Sequence, residues 1–188
     1  SAVAATDHID GVRTANSPTI DLTDLYAFTT GERQERLVVV LDIITATQSW
    51  ERPDPSASFE IVFGAMALNG HAQMLRLLPQ PRYRLRCRWQ AHVAACEGPD
   101  GTMVEAPLGV VVEPAPLRLF AGPRSDPFVL NGLWAGELAM NDSIPEPFDS
   151  NIIQGFNVYS IVAEIDIAAL MPGLLGHAIA LGAEVRSA

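Results

Sequence analysis

Residues 58–78, SFEIVFGAMALNGHAQMLRLL, decide the reading of the fold. SFEIVFGAMAL (58–68) has the apolar pattern of a strand that packs in a core. Asn69-Gly70 behind it is a strong hairpin signal, since both residues tolerate the positive φ that tight turns demand. HAQMLRLL (71–78) is then the return strand. The same grammar continues outward. RYRLRCRWQAHV (82–93) alternates Arg with Tyr, Leu, Cys and Trp, giving one wet face and one dry face. GPDG (98–101) is a second turn. LGVVVEP (108–114) and LRLFAG (117–122) are short strands separated by proline-rich punctuation. Upstream, RLVVVLDIITA (36–46) reads as a buried strand. Downstream, NVYSIVAEI (157–165) and HAIALGAEV (177–185) complete the set.

Helix is scarce. FVLNGLWAGELAM (128–140) has an amphipathic pattern that Gly132 and Gly136 weaken. DIAALM (166–171) reads as one capped turn, with Asp166 as N-cap and Pro172-Gly173 as the stop. NDSIPEPFDSNIIQGF (141–156) is one long Asp/Pro-rich loop, a length that often carries function. Its Asn141-Asp142-Ser143 sequon matters only in a glycosylating host. The expected fold is mainly β: an antiparallel β-sandwich or barrel-like single domain over 1–188, with one or two short helices.

Composition narrows the function classes. With 188 residues, 48% hydrophobic and 18% charged, the chain suits a compact globular domain. No apolar run reaches the ~18 residues of a membrane helix. A net charge of −10 disfavours nucleic acid and anionic membrane surfaces, both of which select basic faces. All 12 basic residues are Arg. The opening SAVAATDHID, small residues followed by polar ones, reads like the remainder left by signal-peptide cleavage, which points to a periplasmic or extracellular location. Cys87 and Cys96 are the only cysteines. Zinc coordination needs more ligands of that kind, so the alternatives are a disulfide closing a short loop or two buried thiols.

Three segments together resemble the bacterial DUF4331 family, exported proteins of unknown function. They are DHIDG (7–11) followed by DLTDLYAF (21–28), then AGPRSDPF (121–128), then GFNVYSIVAEI (155–165). The resemblance spans nearly the whole chain. It departs in the middle, where many members carry an acidic Gly-Asp-Ala segment and this chain has LNGHAQMLRLL. The resemblance implies location and fold, and brings no activity with it.

Candidate sites gather around acidic residues. Asp7, His8 and Asp10 place two carboxylates and an imidazole within four residues, a set that can hold a divalent cation, Ca²⁺ above all because the oxygens dominate. The same residues can equally tie a terminal segment to the sheet. Asp21 and Asp24 have the spacing of an Asx or short helical turn feeding a strand, with Tyr26 and Phe28 on one face and Ala27 on the other. Asp24 is also placed to reach the cation of Asp10. Asp126, held extended by Pro127, either pairs with Arg124 or faces the N-terminal cluster. Asn157 is positioned to satisfy a neighbouring loop. His71, His92 and His177 have no nucleophile nearby in sequence, and Trp50, Trp89 and Trp134 read as packing residues or as a pocket lining.

These residues lead to an exported domain that binds an ion or a small molecule without catalysis. Two alternatives stand beside it. One is a hydrolase or cofactor-dependent enzyme that uses His8 with Asp10 or Asp126. The other is a surface or assembly protein acting through an interface. Monomer and homo-oligomer remain equal expectations.

Overall fold

The computed structural model describes residues 5–6, 18–43, 52–69, 74–113, 115–125 and 157–186. Eleven strands are seen among them: β1 (Ala5–Thr6), β2 (Leu22–Thr30), β3 (Arg36–Ile43), β4 (Ser58–Asn69), β5 (Met74–Gln90), β6 (Val93–Glu97), β7 (Met103–Pro107), β8 (Val111–Val112), β9 (Leu117–Ser125), β10 (Asn157–Asp166) and β11 (Ala178–Arg186). They form two antiparallel sheets, ordered β1-β2-β3-β10-β9-β8 and β11-β4-β5-β6-β7. Neither sheet closes on itself, so the fold is sandwich-like and not a barrel. The 128–140 segment and the 141–156 loop lie outside the described residues.

Alternation along the strands builds the core. Leu37, Val39, Leu41 and Ile43 of β3 are buried in line with Ile161, Ala163 and Ile165 of β10 and with Leu117, Leu119 and Ala121 of β9. The five-stranded sheet contributes Phe59, Ile61, Phe63, Leu85 and Trp89. Trp89 meets Tyr159 edge-on, with centroids 5.4 Å apart and planes at 79°, so an aromatic contact joins the two sheets. Trp89 is therefore a core residue. Cys87 and Cys96 stand directly opposite each other on β5 and β6 and form a disulfide.

The long strand β5 contains Pro79 and Pro81, which a regular ladder excludes because proline has no N–H to donate. The register explains their place. Gly64 pairs with Arg82 and Met66 with Leu77, so residues 78–81 bulge opposite the single residue Ala65. The described part of the return strand begins at Met74, paired with Asn69, and residues 70–73 lie outside the described residues.

The GPDG turn forms as read. Gly101 N donates to Gly98 O at 2.9 Å, and Asp100 accepts from Thr102 N and Oγ1 at 3.0 and 2.8 Å. A single helical turn, α1 (Ile167–Leu170), follows β10, and its N-cap Asp166 accepts from Ala169 N at 3.0 Å. A 3-10 turn (Pro172–Leu174) then leads towards β11. Buried Ile167, Leu170, Met171 and Leu174 plug this end of the sandwich. Ile167 N donates to Glu35 O at 3.0 Å, which ties the crossover to the β2–β3 turn. No helix among the described residues is long and apolar enough to cross a membrane.

Candidate functional site

Two places in the fold carry more than packing requires. The first is a transverse row on the outward face of the six-stranded sheet. Thr6 pairs with Asp24, Asp24 with Asp42, Asp42 with Ser160 and Ser160 with Gly122. The register slips between Leu22 and Asp24, and this bulge turns Asp24 to the same face as Asp42. Asp24 is 2% exposed and Asp42 is fully buried. Ser160 Oγ donates to Asp42 Oδ1. Directly opposed residues on neighbouring strands bring their Cβ atoms to about 5 Å, so the two carboxylates are close neighbours on this face. Asp21, just ahead of β2, is buried as well, and none of these three aspartates is without a partner.

Asp24 thus sits inside the strand and not in a turn ahead of it; the local turn is a 3-10 turn at Pro18–Ile20. Ala27 packs towards the core while Phe28 is exposed, as the alternation requires. Asp7, His8, Asp10 and Asp126 lie outside the described residues, as do His71, Trp50 and Trp134. The strand ends that lead to the first group are in view. Thr6 and Ser125 lie at the same end of one sheet, four strand spacings or about 19 Å apart across it. Asn157 opens β10 opposite Ser125. Arg124 stacks over the Phe120 ring at 3.8 Å and donates to Pro123 O at 3.1 Å. Among the described residues no three His, Cys, Asp or Glu side chains are grouped so as to hold a metal ion.

The second place is a cleft of about 740 Å³ between the sheets. Its walls come from β2 and β3 (Leu25, Ala27, Thr29, Leu37) and from β4 and β11 (Met66, Ile179, Leu181). The reason for the opening is local. Packed sheets stand about 10 Å apart, and Phe59, Phe63 and Leu41 fill that gap in the centre. Along the β2–β11 side the chain supplies Ala27 and Thr29, which are too small to fill it, and no residue of β11 is fully buried. Gln34 and His177 join the lining. Gln34 belongs to the β2–β3 turn, where its N donates to Gly31 O at 3.2 Å, and His177 ends the crossover just before β11. Among the described residues no Asp, Glu or Arg lines the cleft.

No family model, curated protein or solved structure matches the chain.

The site is therefore read from its own chemistry. Apolar walls of this volume, with a few polar groups, have the character of a small-molecule pocket. Sequence reasoning missed Asp42 and the cleft. Asp42 left a signal, a single acid inside the run VVVLDII, although its neighbours Asp24 and Ser160 are set by register. The cleft left none, because it arises from residues of four strands and two connections. His92 lies in the Ala91–His92 turn between β5 and β6 and not within a strand.

Proposed function

We propose that this chain is a non-catalytic small-molecule-binding domain of an exported protein, with the cleft between β2 and β11 as its binding site. The cleft itself carries the reading: its apolar lining and its volume suit a ligand of drug or lipid size. Export is supported by the Cys87–Cys96 disulfide, a bond that persists in oxidising compartments. Kinship with the DUF4331 family, which rests on the motifs of residues 7–28, 121–128 and 155–165, belongs to the same proposal. The test is titration with N-phenyl-1-naphthylamine, an apolar dye that fluoresces on leaving water. Saturable enhancement that Ile179→Trp abolishes, with the circular dichroism spectrum unchanged, supports the reading. Absence of saturation in the parent chain removes it.

A second reading, a divalent cation at the acidic end of the six-stranded sheet, is favoured by the opposition of Asp24 and Asp42. A hard cation such as Ca²⁺ takes six to eight oxygens, more than these two carboxylates and Ser160 supply, so it also needs residues such as Asp7, His8, Asp10 or Asp126. Native mass spectrometry with and without chelator decides it: a mass and melting temperature indifferent to chelator exclude the cation.

A further inference from the structure

Resting on the binding reading above, we infer that the cleft takes a single-chain amphiphile with an uncharged, hydrogen-bonding head, and takes it in one orientation. The polar groups of the lining are not scattered. Gln34 lies in the β2–β3 turn, and His177 closes the α1 crossover. The bond from Ile167 N to Glu35 O fastens that crossover to that turn, so both side chains belong to one end of the sandwich. From there the described lining runs along β2 and β11 through Ala27, Leu25 and Leu181, none of which carries a charge. A carboxylamide and an imidazole together offer donors and acceptors and satisfy a hydroxyl or amide head in full. Among the described residues the lining holds no Arg, so a permanently charged head finds no fixed counter-charge from them. The tail gains instead by leaving water along the apolar wall, in proportion to its buried area. The head therefore lies at Gln34 and His177, and the chain extends towards Leu25.

Displacement of N-phenyl-1-naphthylamine from the oxidised full chain by decane, 1-decanol and decanoate tests this. Decanol is expected to displace the dye at about a tenfold lower concentration than decane, the worth of one or two net hydrogen bonds. The paired substitution Gln34→Ala and His177→Ala is expected to erase most of that preference while dye binding persists, which also reports that the variant is folded. Equal displacement by decane and decanol overturns the polar-end assignment and leaves the binding reading intact. A preference that survives in the double variant overturns the orientation. Decanoate as the strongest competitor overturns the uncharged head. Dye binding that is absent from the parent chain removes both readings together.

Discussion

Glu60 Oε1 accepts from Arg86 Nε at 2.7 Å, although Glu60 is only 1% exposed and Arg86 is a surface residue of the neighbouring strand. Arg84 reaches the other oxygen at 2.9 Å, and Arg186 of β11 approaches to 3.8 Å. Three half-exposed guanidinium groups thus roof one buried carboxylate on the outer face of the five-stranded sheet. Burial by itself raises the Glu60 pKa, but the hydrogen bond and charge of Arg86, with the charges of Arg186 and Arg84, outweigh it and hold it below its ordinary 4.5. A carboxyl whose folded pKa is lowered stabilises the fold above the unfolded value and loses that contribution as pH falls through the folded one. Urea midpoints are therefore expected to drop as pH goes from above 4.5 to below it. Asp54, held low by Ser56, and Asp100, held low by Thr102, act in the same direction near their ordinary 3.8.

Glu60→Gln removes the centre of this network. The arginines can turn to water, so the expected loss is about 1–2 kcal/mol at neutral pH and not the larger cost of stranding a buried charge. The variant is also expected to show a shallower acid slope than the parent. Denaturation at pH 7 and pH 3.5 checks both; parallel slopes in the two proteins contradict the assignment.

Breaking the disulfide costs stability through the unfolded chain. Cys87 and Cys96 are nine residues apart, so the closed loop is short and the entropic contribution is ~2–3 kcal/mol. The paired Cys87→Ala, Cys96→Ala chain is expected to melt lower by that amount and to become insensitive to dithiothreitol. Equal melting of parent and variant in the absence of reductant contradicts this.

Gly122 is fixed by a close backbone approach. A Cβ there meets Gly109 N at 2.7 Å, and Gly109 N is already donating to Ala121 O at 2.8 Å. The neighbour is main chain and cannot swing aside. Gly122→Ala is expected to destabilise by about 1–3 kcal/mol, the usual cost of overpacking, as read from chemical denaturation. Substitution of Gly101, which has open space around its Cβ, costs through its positive φ of 85° and not through contact.

Ser160→Ala leaves Asp42 Oδ1 without the hydroxyl that donates to it, in a place closed to water. A loss of about 1–3 kcal/mol is expected. Ile161→Ala, one residue along and on the core face of the same strand, is expected to cost about 2–5 kcal/mol through the cavity it leaves. Thermal denaturation of the two single variants compares the outer and inner faces of β10 directly.

Much of this architecture was legible in residue order. The alternation of RYRLRCRWQ fixes which side of β5 faces the core and leaves Arg84 and Arg86 outward, where Glu60 of β4 meets them. The GPDG turn and the Asp166 cap are local hydrogen-bond devices, so their meaning does not depend on the rest of the chain. Pro79 and Pro81 mislead a local reading: they suggest a break, yet β5 runs past them because a bulge absorbs residues that need not donate. Of the acidic candidate set only Asp24 falls among the described residues, and its neighbour Asp42 was hidden by an apolar run.

What the linear chain determined by itself is the period: two-residue alternation, and turns where Gly, Asp and Pro punctuate it. These follow from sterics and hydrogen bonds within a few residues. Only the tertiary structure decided which strands lie side by side. Asp42 and Ser160 are 118 positions apart and become neighbours through the β3–β10 pairing. Gln34 and His177 come to one end of one cleft because the α1 crossover is fastened to the β2–β3 turn. Pairing between distant strands is settled by the free energy of filling a common core, a property of all the strands at once that no short segment encodes.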